Sequence, residues 1–202
     1  IQLITVWEDD WRDRRDIVTS MISHKIGVND SRRVYARNTT IVSLNYTDAS
    51  HFLDSNHVQG EVPGSLYLGL KDGDDIVAVS VWRKNGHTLY LDRYATSTQV
   101  IGGMGKLLKA GKHWAKAHNV DKIVTFADHE VSDGGLYEKL GFTLDKELPP
   151  DYSYVVNNKR IHKFNYRKKR FLTDPQLTYI EGLTEKELAR LNGLPRVWDS
   201  GK

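Results

Sequence analysis

The sequence predicts a mixed α/β protein of the α+β kind, organised on one mixed sheet. Three consecutive strand runs are separated by the turn signals Asp72-Gly73 and Asn85-Gly86, which reads as an antiparallel meander. A glycine-rich junction, Gly102-Gly103-Met104-Gly105, then opens onto a long helical pattern. After that helix comes a further apolar run, and a strand reached through a crossover helix joins its sheet in parallel.

In chain order, Gln2–Trp7 reads as a short buried strand and Asp10–Ile22 as a helix opened by Asp10. Val34–Arg37 and Thr40–Leu44 read as extended, and 47–56 as a short helix capped by Thr47 or Asp48. The meander strands are Ser65–Leu70, Ile76–Arg83 and Thr88–Tyr94. The long helix spans Lys106–His118, followed by Lys122–Ala127 as a buried strand. Leu136–Leu140 is a short helix closed by Gly141, and Phe142–Leu144 returns to strand. Tyr152–Val156 and Arg160–Tyr166 form a hairpin about Asn157-Asn158. A last helix over Thr184–Asn192 begins with the capping-box spacing Thr184-x-x-Glu187. The division expected is residues 1–33 as a lead-in, 34–170 as the main domain and 171–202 as a helical extension.

Composition narrows the class. Apolar residues make up 39% and charged residues 27% of the 202, an ordinary soluble-domain balance. With no cysteine, disulfides, thiol nucleophiles and thiolate metal sites are excluded, and a cytoplasmic location is expected. No apolar run approaches the roughly 20 residues of a membrane-spanning helix, so no membrane partner is expected. The histidines have no ligand-like spacing to carboxylates, so no metal is expected either. The chain opens on Ile1 rather than Met, as a fragment or processed chain would. Net charge is only +3, but Lys159, Arg160, Lys163, Arg167, Lys168, Lys169 and Arg170 are grouped without an acidic residue.

The glycine junction carries the sharpest chemistry. Backbone N–H groups at the positive end of a helix dipole attract anions, and glycines let a phosphate approach without a Cβ in the way. The candidate cradle is Val100, Ile101, Gly102, Gly103, Gly105 and Lys106. This junction and the segment Leu136-Tyr137-Glu138-Lys139-Leu140-Gly141-Phe142, in this order around a strand, resemble the GNAT N-acetyltransferase superfamily over roughly Val34–Tyr166. The resemblance implies a GNAT-like fold, N-acyl transfer from acetyl-CoA or another acyl-CoA, pyrophosphate binding by the glycine loop, and Tyr137 as general acid. The loop departs from the family's Gln/Arg-x-x-Gly-x-Gly/Ala pattern. Aligned on Gly103 and Gly105, Val100 stands where Gln or Arg belongs; aligned on Gln99 and Gly102, Met104 stands at the small final position.

A general base is sought among Glu61, Asp92, Asp128 and His57; Asp92 alternates with Leu91 in the strand just before the glycine loop, and His57 lies in the polar loop ahead of the first meander strand. The basic cluster is interleaved with Tyr152, Tyr154, Phe164 and Tyr166, a pattern that suits nucleic acid as well as a solvated hairpin edge. The whole chain also resembles phage proteins in which a GNAT-like domain follows a very-short-patch-repair-type nuclease domain. Trp7–Trp11, Val34–Arg37, Phe52–Gly60, Val100–Lys109, Tyr137–Phe142, Arg160–Arg170 and the Arg196–Gly201 stretch carry that likeness. It implies a DNA context, with the nuclease-like domain upstream of this chain and the host cytoplasm as location. The alternative to an active transferase is therefore a catalytically degenerate GNAT-like module that binds DNA.

Overall fold

The computed structural model describes residues 3–28 and 30–202. The chain folds as two compact units: Asp13–Phe126, and Ala127–Lys202 together with the residues up to Arg12. These units follow spatial packing, whereas the division at residues 33 and 170 follows sequence resemblance.

The Asp13–Phe126 unit is built on a five-stranded mixed sheet in the order β2-β3-β4-β5-β7. Its strands are β2 (Thr40–Ser43), β3 (Leu66–Asp72), β4 (Asp75–Asn85), β5 (Thr88–Thr96) and β7 (Lys122–Thr125). The first four pair antiparallel, and β7 joins β5 in parallel. Both hairpins turn at glycines with positive φ, Gly73 at 61° and Gly86 at 57°, which only a residue without Cβ adopts cheaply. A short parallel pair, β1 (Arg33–Tyr35) with β6 (Gln99–Ile101), lies outside the main sheet.

Alternation along β4 sorts the two faces. Val79 and Val81 pack with Ala49 and Leu53 of α3 (Tyr46–Asn56). Ala78, Ser80 and Trp82 face the other way, toward α4 (Gly103–Ala117), whose Gly111 lies against the Trp82 ring. A Cβ at Gly111 would stand 2.8 Å from that ring, so this glycine sets how closely the helix lies on the sheet. Trp82 is fully buried, and its indole N–H donates to Ser80 Oγ at 2.8 Å.

Several sequence expectations change here. Leu3–Trp7 forms no strand, and Gln2 lies outside the described residues. The expected first helix is two: α1 (Glu8–Asp13) and α2 (Arg15–Lys25), broken where Arg14 leaves helical geometry at ψ 36°. Arg14 is drawn elsewhere, donating to the carbonyls of Asp54 and His57 at 3.2 and 3.0 Å. The cap of α3 is Asn45, accepting from Asp48 N–H, rather than Thr47 or Asp48. β7 is a half-buried edge strand, not a buried one, because among the described residues no strand pairs its outer side.

In the other unit, β8 (Tyr152–Val156) pairs with β9 (Lys159–His162) and with β10 (Arg196–Trp198), giving the order β10-β8-β9. The hairpin turns where expected: Asn157 and Asn158 both take positive φ, 49° and 58°, as a primed turn requires. It is shorter than read, since the chain leaves β9 at His162 for a 3-10 turn and then α6 (Lys168–Thr173). Phe142–Leu144 is not a strand, and β10 was not foreseen as one. Tyr154, Tyr166, Phe171, Leu188 and Ala189 form this unit's core. Its last helix, α7 (Glu185–Leu191), has the complete Thr184/Glu187 capping box. The short α5 (Gly135–Lys139) ends at Gly141 with φ 85°, where Phe142 N–H reaches Tyr137 O at 3.0 Å, a Schellman-type stop. Among the described residues no helix is long and apolar enough to cross a membrane.

Candidate functional site

The glycine junction sits at the N-terminus of α4, with Gly102 as cap at φ 78°. Lead-in strand β6 holds Val100 opposite Val34 and Ile101 opposite Tyr35, so the approach to the helix is pinned by a backbone ladder. A side chain at Gly103 would meet the Tyr94 hydroxyl at 2.6 Å and Val100 at 2.8 Å, so this glycine is required by packing as well as by any ligand. The Tyr94 hydroxyl accepts from Met104 N–H, and burial pushes its pKa well above the ordinary value. Lys106 N–H reaches Gly102 O at 3.1 Å. Gly103 and Gly105 carry the remaining first-turn donors of the helix.

Lys106 does not behave as a phosphate lysine here. Its ammonium turns back onto the carbonyls of Ala36, at 2.8 Å, and Thr39, with Thr39 Oγ1 at 3.4 Å. An incoming phosphate would compete with three oxygens already surrounding that charge. Ile101 is half exposed, while Gly103 and Met104 are buried.

β5 enters this region from the sheet with an asymmetry. Its pairing with β7 covers only Thr88–Leu91, ending where Thr125 Oγ1 donates to Leu91 O at 3.2 Å. On the other side β4 stays paired to β5 as far as Thr96. The two parallel strands therefore part at Leu91, and β5 continues toward the glycine junction without β7. Val81 pairs with Arg93 but Trp82 with Leu91, so Asp92 is an extra residue that bulges and bends β5 at the same place.

The proposed bases are engaged elsewhere. Asp92, with a side chain only 10% exposed, forms a two-pronged ion pair with Arg83, Nε–Oδ2 2.7 Å and Nη2–Oδ1 3.0 Å. Arg83 in turn lies 4.5 Å over the Tyr90 ring. His57 ends α3; its Nδ1 accepts from Gln59 N–H at 3.1 Å. Burial first, then the charges of Arg93 and Arg14, push its pKa down to about 3. A ring that weakly basic is a poor proton acceptor near neutrality. Glu61 takes the Tyr46 hydroxyl at 2.9 Å, and Asp128 Oδ1 takes Glu130 N–H at 3.1 Å. Tyr137, on α5 in the other unit, stands edge-on to Phe142 at 5.8 Å. Among the described residues no group of three or more His, Asp or Glu side chains gathers as a metal site. An open depression of about 330 Å³ lies further along α4, rimmed by Lys109, Lys112 and Lys116 over Ala115, Val120 and Ile123.

The basic cluster is largely counter-charged. Arg160 pairs with Asp9 at 2.8 Å and Asp10 at 2.5 Å, and lies 4.8 Å over the Trp7 ring. Lys163 meets Asp151 at 2.5 Å, Arg170 meets Asp174 at 2.9 Å, and Arg167 is 3.6 Å from Glu185. Lys168 and Lys169 are exposed on α6, and Lys159 is exposed at the start of β9. Sequence reading could not see these pairings, because Asp9, Asp10 and Asp151 are distant in the chain or look like loop residues. Tyr94 and Arg14 were missed for the same reason.

No protein-family model matches the sequence, and no curated protein matches it. Among solved structures, the chain is similar to an aminoglycoside N-acetyltransferase, AAC(6')-Iy in complex with CoA, at 10% identity and TM-score 0.41, covering 53% of this chain and 93% of that one. It is similar to a GNAT-family acetyltransferase from Streptococcus pneumoniae at 16% identity and TM-score 0.43, covering 52% and 88%. An IAA acetyltransferase from Bacillus cereus gives 18% identity and TM-score 0.42, covering 61% and 93%. Likenesses of this size do not by themselves place the chain in that family.

Proposed function

We propose that the Asp13–Phe126 unit binds an acyl-CoA and that the protein is a GNAT-type N-acyltransferase. The observation that carries this reading is the parting of β5 from β7 at Leu91, after which the rest of β5 and then β6 lead to the glycine cap of α4. CoA combines a pyrophosphate with a flexible arm containing two amides. An unpaired strand edge suits the amides, and the Gly103 and Gly105 N–H groups at the end of the helix dipole suit the pyrophosphate. The sequence resemblance at Val100–Lys109 and Tyr137–Phe142 points the same way.

In the transfer, the acceptor nitrogen attacks the thioester carbonyl; the C–N bond forms and the C–S bond breaks. The amine then loses a proton and the thiolate gains one. Tyr137 is assigned the thiolate's proton on the resemblance alone. Asp92, held by Arg83, and His57, with its depressed pKa, are poorly placed as bases, so a weakly basic or pre-deprotonated acceptor suits this site best. Membership of a phage-encoded assembly with an upstream nuclease-like domain, in a host cytoplasm, belongs to the same proposal.

Calorimetric and thermal-shift titration with acetyl-CoA tests the reading. A ligand at 100 times its Kd stabilises by about 2.7 kcal/mol. Ile101→Glu places a carboxylate on an exposed side chain beside the helix N-terminus, where it repels phosphate without disturbing the core. Saturable binding to the wild type, lost in this variant at unchanged unliganded Tm, is expected. An absence of binding by the folded wild type overturns the proposal.

A further inference from the structure

Aromatic side chains and cations alternate in a row that runs from Trp198 of β10, past Tyr152 of β8, to the turn that follows β9. Trp198 and Tyr152 are cross-strand partners, their rings 5.1 Å apart. Arg196, two residues before Trp198 and so on the same face, lies 5.2 Å over Tyr152 and 5.8 Å over Trp198. On the other side, Lys163 lies 5.1 Å from Tyr152 and 5.8 Å from Phe164, and Arg167 is 4.3 Å over Phe164. The order is therefore Trp198, Arg196, Tyr152, Lys163, Phe164, Arg167, ring and cation by turns.

The two ends of this series are open. Trp198 is 53% exposed and Phe164 59%, whereas Tyr154, on the same face of β8, is buried in the unit's core. Burial of Trp198 and Phe164 would be worth about 1.5–3 kcal/mol each if the fold could cover them, so their exposure is a cost the unit carries. A solvated cationic edge that only blocks strand pairing needs lysines and not rings. Carboxylates also meet two of these cations: Lys163 pairs with Asp151 at 2.5 Å and Arg167 lies 3.6 Å from Glu185, so a phosphate replaces those pairs rather than finding bare charge. Asp151 accepts from Tyr152 N–H at 2.7 Å and holds Lys163, and Asp199 accepts from the N–H groups of Asp151 and Gly201.

We propose that this row binds single-stranded nucleic acid, with bases stacking on Trp198 and Phe164 and the strand's phosphates lying along Arg196, Lys163 and Arg167. Rings with two χ angles offer a flat, sequence-tolerant surface to any base, and guanidinium groups already stacked on rings are preorganised toward phosphate. A duplex hides its bases and offers only phosphates, so it gains nothing from the rings. This surface is not the basic cluster as the sequence presents it. Arg160 and Arg170 are committed to Asp9, Asp10 and Asp174, while Arg196 and Trp198 come from a separate strand, β10, beyond α7.

Fluorescence anisotropy of the full chain with a labelled oligothymidylate, an abasic strand of the same length and a duplex tests this. The oligothymidylate is expected to bind tightest and the abasic strand at least about tenfold more weakly. Trp198→Leu and, separately, Phe164→Leu should each lose about tenfold or more, while Trp198→Phe, which keeps a ring, retains most of the affinity. Phe164 lies outside the strands, so its variant remains informative if the Trp198 change loosens β10. Equal affinity for abasic and thymidylate strands overturns the proposal, as does indifference to both leucine variants. Loss confined to a Lys109→Gln, Lys112→Gln, Lys116→Gln variant overturns it as well and moves the contact to α4. The proposal also falls if none of the three strands binds at low salt.

Discussion

The two units hold their lysines and arginines in different settings, backbone carbonyls in one and carboxylates and aromatic rings in the other, and the sequence does not distinguish them. In the Asp13–Phe126 unit the lysine of the glycine loop, the one cation its motif would assign to a ligand, is spent on the fold: Lys106 holds the Ala36 and Thr39 carbonyls. In the Ala127–Lys202 unit a run read as a uniformly basic surface divides. Arg160 becomes a clasp to the N-terminal residues Asp9 and Asp10, while Lys163 and Arg167, each also near a carboxylate, stand over the rings of Tyr152 and Phe164. A charged residue's role thus depends on which oxygens the fold brings within hydrogen-bond distance, and a motif fixes only the backbone around it.

The largest effect expected from breaking this contrast is at the clasp. Arg160→Gln removes the guanidinium that both Asp9 and Asp10 bind, with side chains only 15% and 21% exposed, and should cost about 3 kcal/mol. Urea unfolding measures the loss, and hydrogen exchange should localise the opening to the Ala127–Lys202 unit and the residues up to Arg12. Lys106→Met comes next, at about 2 kcal/mol, because two inward carbonyls lose their donor. Its hydrogen-exchange change should fall on Arg33–Thr39 and α4. Unchanged stability there, with acetyl-CoA affinity reduced, would return Lys106 to the role its motif implies.

The smallest effect is a pH dependence at His57. The unfolded ring takes up a proton near 6.5, and the folded ring only near 3. Between those values the unfolded state binds more protons, so stability is complete above 6.5 and falls as pH falls through the window. From 6.5 to about 5, before ordinary carboxylates titrate, the loss should reach about 1–2 kcal/mol, below the full 1.36 kcal/mol per unit because the unfolded ring is only partly protonated near its own pKa. His57→Gln should flatten that slope in urea titrations at stepped pH. A slope that survives the substitution would assign it to other groups.

Much of the fold was legible in the sequence. The meander read correctly because Asp72-Gly73 and Asn85-Gly86 are local turn chemistry between alternating strands. The α4 helix, the Asn157-Asn158 turn and the Thr184/Glu187 capping box read correctly for the same reason: each is decided within a few residues. Long-range competition accounts for the errors. Arg14 breaks the first helix because it caps the end of α3, forty residues away. Phe142–Leu144 carries apolar residues but pairs with no strand among the described residues.

The sequence by itself determined the mixed sheet, the two hairpin turns, the glycine-capped helix and its order among the strands. These rest on backbone conformations and hydrophobic periods that neighbouring residues settle among themselves. Only the tertiary structure decided that β5 and β7 part at Leu91, that Asp92 belongs to Arg83, that Lys106 faces inward, and that Trp198 joins Phe164 in one row. Each of these sets one side chain or strand edge against a partner distant in the chain, and such a pairing exists only once the chain has closed around it.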